Sequence, residues 1–186
     1  MSLEIRSPVV PSVRIAVAAD AVAACTVLRR SIAECCEADH RNDPAILDAW
    51  LGNKTPQMVE SWFVSPTNFS LVAELDGVVA GVALLTGAGK LALCYVLPEA
   101  RGNGLGKALL ARAEEQVVCW GVKALQLHST ATGHGFFAGR GYTDGGKVRS
   151  PYGVETIFFW KQLDGGTDCA DGEAPKRKRF CNCNSA

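Results

Sequence analysis

The sequence predicts an α/β (α+β) domain in which a mixed, mostly antiparallel sheet carries helices on both faces. Three patterns predict this class. Short runs of alternating apolar residues indicate strands, longer runs with helical spacing indicate amphipathic helices, and a glycine-rich turn joins one strand directly to a helix. The chain has 186 residues, 48% of them hydrophobic, which is enough for one domain with a sizeable core.

The first half of the chain is predicted to form one strand and then several helices. Alternation over residues 13–17 predicts the strand, and Asp20 is placed to cap a helix that continues to about residue 39. The apolar side of that helix is predicted to contain Val22, Leu28, Ile32 and Cys35 or Cys36. Short helices are predicted over residues 44–51 and 55–63, the second beginning with the favourable pair Thr55-Pro56.

The second half is predicted to contain most of the sheet. Residues 69–75 and 78–85 flank Asp76-Gly77, a strong hairpin signal, and a third strand covers residues 90–97. An amphipathic helix follows over residues 104–120, and Gly121 is placed to end it. The remaining predicted elements are a strand at 122–128, a short helix at 133–139 and a closing strand at 154–163. No internal repeat is visible.

The glycine-rich turn between the third strand and its helix predicts an anion site. A strand that runs straight into a helix leaves several backbone N–H groups unpaired at the helix N-terminus, where the helix dipole is positive. Glycines there let a phosphate approach the backbone. We therefore expect the segment from Arg101 to Lys107 to bind a diphosphate.

Two common phosphate fingerprints do not fit this turn. A P-loop requires a glycine five residues before the Gly-Lys pair and a Ser or Thr after it, but Arg101 and Ala108 occupy those positions around Gly106-Lys107. A dinucleotide fingerprint requires a third glycine where this chain has Lys107 or Leu109. The diphosphate is therefore not expected to belong to a P-loop nucleotide or a Rossmann dinucleotide.

The pattern that does fit is Arg-x-x-Gly-x-Gly, spelled Arg101-Gly102-Asn103-Gly104-Leu105-Gly106. It resembles the coenzyme A pyrophosphate loop of the GCN5-related N-acetyltransferase (GNAT) superfamily, and the segment 127–142 resembles the family's next landmark. The resemblance covers roughly residues 11–163 and is to uncharacterised bacterial relatives. It predicts a GNAT domain at 11–163, an N-terminal extension at 1–10 and a polar, basic tail at 164–186.

The resemblance also implies a cofactor and a reaction. Family members bind acetyl-CoA in a wedge where two parallel strands splay apart, here residues 90–97 and 122–128. The expected activity is transfer of acetyl to a primary amine of unknown identity, by direct attack in a ternary complex. The implied cofactor-binding residues are Tyr95, Val96, Leu97, Arg101, Gly102, Asn103, Gly104, Leu105, Gly106, Lys107, Thr130 and Phe137.

The catalytic groups are less clearly marked, because many relatives use a carboxylate near the splayed strand and residues 90–97 contain none. The candidate bases are His128, Tyr95, Glu34 and Asp39, each of which has an ordinary structural alternative as a packed or solvated side chain. The position that usually holds the family's acid tyrosine is Phe137.

The group that gives a proton to the departing thiolate is then His134, Tyr142 or Tyr152, or no such group is needed. The alternative function is a non-catalytic acyl-CoA-binding module or sensor.

Composition and charge bear on the location of the protein and on its further partners. Formal net charge is zero, the apolar runs are too short to span a membrane, and the N-terminus does not resemble a signal peptide. Five of the eight cysteines lie in apolar helix or strand patterns, where a free thiol behaves as a small hydrophobic residue, which favours a reducing cytoplasm. Cys181-Asn182-Cys183 lacks the second cysteine pair or the histidines of a metal site, so no metal is expected. The basic run at 176–179 is interpreted as a solvated tail rather than a nucleic-acid site, and strands near the closing segment are compatible with a homodimer.

Overall fold

The computed structural model describes residues 11–163, which form one seven-stranded sheet flanked by helices. The strands are β1 (Ser12–Ile15), β2 (Asn68–Leu75), β3 (Val78–Thr86), β4 (Lys90–Val96), β5 (Ala124–Ser129), β6 (Thr143–Arg149) and β7 (Glu155–Gln162). The helices are α1 (Ala21–Cys35), α2 (Glu37–His40), α3 (Pro44–Leu51), α4 (Pro56–Phe63), α5 (Leu105–Cys119) and α6 (His134–Ala138). Short 3-10 turns cover Ala18–Asp20 and Pro98–Ala100.

The strand order across the sheet is β1-β2-β3-β4-β5-β7-β6. Every neighbouring pair is antiparallel except β4 and β5, which are parallel. The predicted mixed, mostly antiparallel sheet is thereby confirmed. Short turns such as the one at Asp76-Gly77 join the antiparallel pairs β2–β3, β3–β4 and β6–β7, whereas the single parallel pair requires the long crossover through α5.

The strands β4 and β5 pair only where they begin and then separate. Their register contains two residue pairs, Lys90 with Gln126 and Leu91 with Leu127, and Gln126 N donates to Gly89 O at 2.9 Å. A Cβ added at Gly89 would lie 2.7 Å from the Val122 side chain and 2.8 Å from Ala124 O. Only glycine therefore permits this close approach, beyond which the two strands open a gap in the middle of the sheet.

Helices cover both faces of the sheet. On one face, Leu105, Leu109 and Val117 of α5 pack with buried strand residues such as Leu85 and Leu127. On the other face, α1 and α4 pack against Val82, while α3 contributes Trp50 to a smaller cluster. The two layers put the N-terminus of α5 and the C-terminus of α1 on opposite sides of the gap between β4 and β5.

Three details differ from the sequence-based predictions, beginning with β6, which was not predicted. All seven of its residues are exposed at the sheet edge, so no apolar alternation marks the strand. Val22, predicted on the apolar side of α1, is 65% exposed, and the buried side is formed by residues such as Val27 and Leu28 instead.

The third difference is the end of the first long helix, which stops at Cys35 rather than continuing to Asp39. The buried imidazole of His40 lies 3.3 Å from Ala33 O, the carbonyl that the next helical amide would otherwise use. Asn42 N donates to the other ring nitrogen at 3.1 Å, which fixes the tautomer that can donate to Ala33 O. The imidazole thereby ends α1 and starts the separate turn α2.

Within residues 11–163, no helix is long and apolar enough to cross a membrane, and no group of three His, Cys, Asp or Glu side chains is arranged to hold a metal ion. The predicted extension at 1–10 and the tail at 164–186, with its basic run and its Cys-Asn-Cys sequence, lie outside the described residues.

Candidate active site

A cavity of about 410 Å³ lies between the C-terminus of α1, the gap in the sheet, the N-terminus of α5 and the loop before α6. Of the twelve predicted cofactor-binding residues, all except Leu97 and Asn103 line it. The lining residues are Ser31, Cys35, Cys36, Cys94, Tyr95, Val96, Ala100, Arg101, Gly102, Gly104, Leu105, Gly106, Lys107, Thr130, Thr132, Gly133, Phe136, Phe137 and Arg140. The end of β4 and the short helix α6, which are distant in sequence, therefore line the same cavity.

The glycine-rich loop gives this cavity an uncapped helix N-terminus. Gly102 and Gly104 both have φ of +84°, a left-handed conformation that side chains disfavour. Gly104 is the N-cap residue of α5 and no side chain caps the helix there. The first-turn amides of residues 105–107 have no intrahelical acceptor, so they remain available to an anion.

Gly106 serves a different purpose from the other two glycines. A Cβ added at Gly106 would lie 3.3 Å from the ring of Phe136 and 3.8 Å from the side chain of Val96. Its lack of a side chain keeps the cavity open between α5, α6 and β4.

The two predicted residues outside the cavity have backbone or local partners. Leu97 N donates to Ala80 O at 2.8 Å, and Asn103 Nδ2 donates to Ala100 O at 3.4 Å. Hydrogen bonding alternates along an antiparallel strand, so the backbone groups of Leu97 and Tyr95 point to β3, and those of Val96 and Cys94 point into the gap. Cys94, which was not predicted, belongs with Val96 on this open edge.

Three cations border the cavity: Arg101, Lys107 and Arg140. None of them forms an ion pair with a carboxylate among residues 11–163. Together with the α5 N-terminus they make the cavity electropositive. Arg140 was not predicted, and its position four residues after Phe136 carries no local motif.

A second, smaller cavity of about 80 Å³ occupies the gap itself and includes Tyr95, His128 and Thr130 in its lining. The His128 side chain is exposed on the face of β5 that no helix covers, with its ring 5.5 Å from that of Phe158. Partial burial and the nearby Lys90 ammonium lower the pKa of His128. The imidazole is therefore largely neutral near pH 7 and able to accept a proton.

Tyr95 lines both cavities and is held by the aromatic cluster that includes Trp50 and Tyr152. Burial raises the pKa of the Tyr95 hydroxyl far above its usual range. The group stays protonated at any physiological pH, so it can donate a hydrogen bond but is a poor candidate for the base.

The two carboxylates predicted as bases lie in contrasting positions. Glu34 is exposed outside both cavities, and its Oε1 lies 2.8 Å from Arg30 Nε. Asp39 is buried and accepts bonds from Ala131 N at 2.6 Å, Thr132 Oγ1 at 2.6 Å and Thr132 N at 3.4 Å. The carboxylate thereby holds α2 against the loop that lines the large cavity. Both of its oxygens already accept hydrogen bonds, so its role here is structural.

The predicted acids do not reach either cavity. The Tyr142 hydroxyl donates to Glu114 Oε1 at 2.8 Å, and burial raises its pKa. The Tyr152 hydroxyl accepts from Asn53 Nδ2 at 3.4 Å, and His134 Nε2 lies 3.3 Å from Asp144 Oδ2. Phe137 packs edge-on against Phe136, with ring centroids 4.9 Å apart. Tyr95 is therefore the phenol that borders the gap among the described residues.

Three free thiols also face the large cavity: Cys35, Cys36 and Cys94. Burial raises the pKa of Cys36 and of Cys94 to about 12. Both remain thiols near pH 7, and a thiol is a far weaker nucleophile than a thiolate. The electrostatics of these two residues thus disfavour a covalent acyl-cysteine.

Comparison with known proteins agrees with this geometry. A family model of the acetyltransferase (GNAT) domain matches residues 37–161. The chain is 31% identical over 100 residues to an amino-acid acetyltransferase of Ralstonia nicotianae, a match that covers 51% of this chain and 22% of that protein. The chain thus spans about a fifth of the length of this curated relative.

Two solved structures share the fold. A GCN5-related N-acetyltransferase from Rhodopseudomonas palustris superimposes with a TM-score of 0.74 at 22% identity, covering 85% of this chain and 99% of the other. YncA from Salmonella typhimurium, determined with its cofactor acetyl-CoA, gives a TM-score of 0.63 at 20% identity, covering 89% and 99% of the two chains.

Proposed function

Because the chain belongs to the GNAT acetyltransferase family, we propose that it transfers acetyl from acetyl-CoA to a primary amine by direct attack in a ternary complex. The observation that carries the proposal is the uncapped N-terminus of α5, which faces the same cavity as the open edge of β4. A helix N-terminus suits a diphosphate, and an unpaired strand edge suits an amide-containing chain such as pantetheine.

In the proposed complex, the diphosphate lies against the amides of residues 105–107, with Arg101 and Lys107 beside it. The pantetheine arm runs along the gap and pairs with backbone groups of Val96 and Cys94. One of these N–H groups donates to the thioester carbonyl and stabilises the oxyanion that forms when the amine attacks. The protein contributes mainly by holding the amine and the thioester together.

The proton transfers are assigned to two side chains at the gap. Neutral His128 accepts the proton that the attacking amine must lose, directly or through water. When the carbon–sulfur bond breaks, the departing thiolate accepts a hydrogen bond from the Tyr95 hydroxyl, which replaces the phenol missing at Phe137. Glu34 has no part in this scheme because its carboxylate pairs with Arg30 away from both cavities.

We further propose that the acceptor is the amino group of an amino acid. The support is the likeness to an amino-acid acetyltransferase over about half of this chain. The exposed face of β5 and β7 around His128 is open to a small acceptor. A panel of free amino acids is therefore the first set of acceptors to test.

The test of the cofactor site is calorimetric titration of acetyl-CoA into wild type and Gly104→Glu. The variant puts a carboxylate where the diphosphate should lie, and we expect affinity to fall by at least about 100-fold, since it also strains the left-handed backbone. Gly121→Glu is the matched control, because Gly121 has φ of +67° with open space beyond the other end of α5. Equal binding by all three proteins would refute the assignment of the loop.

The alternative, a non-catalytic acyl-CoA-binding module, is motivated by Phe137. It predicts acetyl-CoA binding without turnover. Thiol release from acetyl-CoA, measured against amino acids, polyamines and peptide N-termini, separates the two functions. Saturable, amine-dependent release supports the transferase, and tight binding with no release from any amine supports the module.

A further inference from the structure

Arg140 follows α6 and borders the large cavity without a charged partner. Its Nη1 donates to Phe136 O at 2.8 Å, and its guanidinium carbon lies 3.7 Å from the centroid of the Phe136 ring. The Nε atom is buried and has no hydrogen-bond partner among the described residues. The side chain is thus pre-positioned on an aromatic face, and its buried Nε–H donor is unused.

Such an arrangement is costly in the absence of a ligand. A buried N–H without an acceptor loses its hydration and gains nothing in return. Contact with the Phe136 ring recovers part of this cost but does not satisfy the donor. The missing partner is an acceptor with negative charge, because Arg140 pairs with no carboxylate within residues 11–163.

Phosphate is the anion that fits this cation best. A guanidinium presents paired donors that match two phosphate oxygens, and its charge strengthens both bonds. The cavity that Arg140 borders already contains the uncapped N-terminus of α5. Arg101 and Lys107 flank that N-terminus, whereas Arg140 approaches the cavity from α6.

We propose that Arg140 binds a phosphate group of coenzyme A. This inference rests on the proposed function and adds a residue that determines which cofactor is held. Coenzyme A carries a diphosphate and a separate 3′-phosphate on its ribose, so the same guanidinium has two possible phosphate partners. Comparing coenzyme A with 3′-dephospho-coenzyme A distinguishes them.

The experiment is calorimetric titration of both compounds into wild type, Arg140→Met, Arg140→Lys and Arg149→Met. Methionine keeps the apolar stem on Phe136 and removes the charge, while lysine keeps the charge and removes the fork. Arg149 is exposed on β6 and does not border the cavity, so its variant controls for the loss of one positive charge.

We expect Arg140→Met to weaken coenzyme A binding by about 10-fold or more, Arg140→Lys to weaken it less, and Arg149→Met to leave it unchanged. Weakening confined to coenzyme A assigns the 3′-phosphate, and equal weakening for both compounds assigns the diphosphate. Unchanged affinity in folded Arg140→Met, or in Arg140→Lys should the first variant not fold, would overturn the proposal while leaving the function intact. Failure of wild type to bind coenzyme A would overturn both.

Discussion

The proposed phosphate-binding end of the site, at the start of α5, and its proposed transfer end, at the gap between β4 and β5, are built in different ways. The first is assembled from one continuous segment, residues 101–107, and uses mainly backbone amides at the start of α5. The second draws on side chains from separate elements, with Tyr95 on β4 and His128 on β5. A site made of backbone groups depends on conformation, and a site made of side chains depends on their chemistry. We therefore expect variants at the first end to lose acetyl-CoA affinity and variants at the second end to lose kcat.

The largest expected difference between the ends concerns His128. Replacing it by alanine removes the proposed base, so we expect kcat to fall by about 100-fold or more while acetyl-CoA affinity stays within twofold. Because the pKa of His128 is lowered, wild-type kcat/KM should rise with pH and level off below the usual histidine value. The pH profile of His128→Ala should lack this rise in kcat/KM.

Steady-state kinetics across pH, with binding measured in parallel, would check this prediction. Gln126→Ala is a suitable control, because Gln126 is exposed on the same face of β5. A His128→Ala variant with normal kcat would remove the histidine from the mechanism.

The opposite effect, a loss of acetyl-CoA affinity rather than of kcat, is expected at Gly106. Valine there would press on Phe136 and Val96 and fill the cavity, so acetyl-CoA affinity should fall by about 10-fold to 100-fold. Gly135→Val is the control, since a Cβ at Gly135 meets nothing within 4 Å. If Gly106→Val lowered kcat at saturating acetyl-CoA without weakening binding, the separation of the two ends would not hold.

Asp39 connects the two ends, and its variant should affect both. Asn at this position still accepts from Ala131 N, but its amide N–H groups then oppose the N–H of Thr132. We expect unfolding free energy to fall by about 1–3 kcal/mol and the KM for acetyl-CoA to rise several-fold. Urea denaturation and kinetics measure the two effects, with exposed Asp48→Asn as the control.

The smallest effect is expected at Lys54, which is buried behind the transfer end. Its ammonium donates to Trp50 O at 3.2 Å and to Asn53 Oδ1, and burial lowers its pKa from 10.5 to about 8. Between those pH values the unfolded chain binds more protons at this site than the folded protein does. Stability from this group therefore rises as pH rises through the window, and is lost as pH falls to about 8.

Lys54→Met should lack this rise, so the difference in unfolding free energy between wild type and variant should change by about 1 kcal/mol per pH unit across the window. Using the difference cancels the opposing titration of buried thiols such as Cys36 and Cys94. Exposed Lys123→Met serves as the control. A pH-independent difference would show that Lys54 has an ordinary pKa in the folded protein.

The contrast between the ends also explains how much could be predicted from the sequence. The conformation of the glycine loop could be predicted because it follows from closely spaced glycines, and the sheet class could be predicted because most strands alternate. The edge strand β6 was missed because its residues are polar and exposed. The bonds of Asp39 and the proposed role of Arg140 depend on groups that folding brings close together, and Asp39 bonds Ala131 across 92 positions of sequence.

The two-residue pairing of β4 and β5 has a consequence for selectivity. Beyond Leu91 the sheet contains a slot whose two walls are strand edges, and its width is set by how far the strands diverge rather than by any single side chain. We expect such a slot to select ligands by their thickness and to admit a slender extended chain with amides along its length. Substitutions that change strand divergence, foremost at Gly89 where the pairing begins, would therefore alter which molecules can enter more than changes in the surrounding walls.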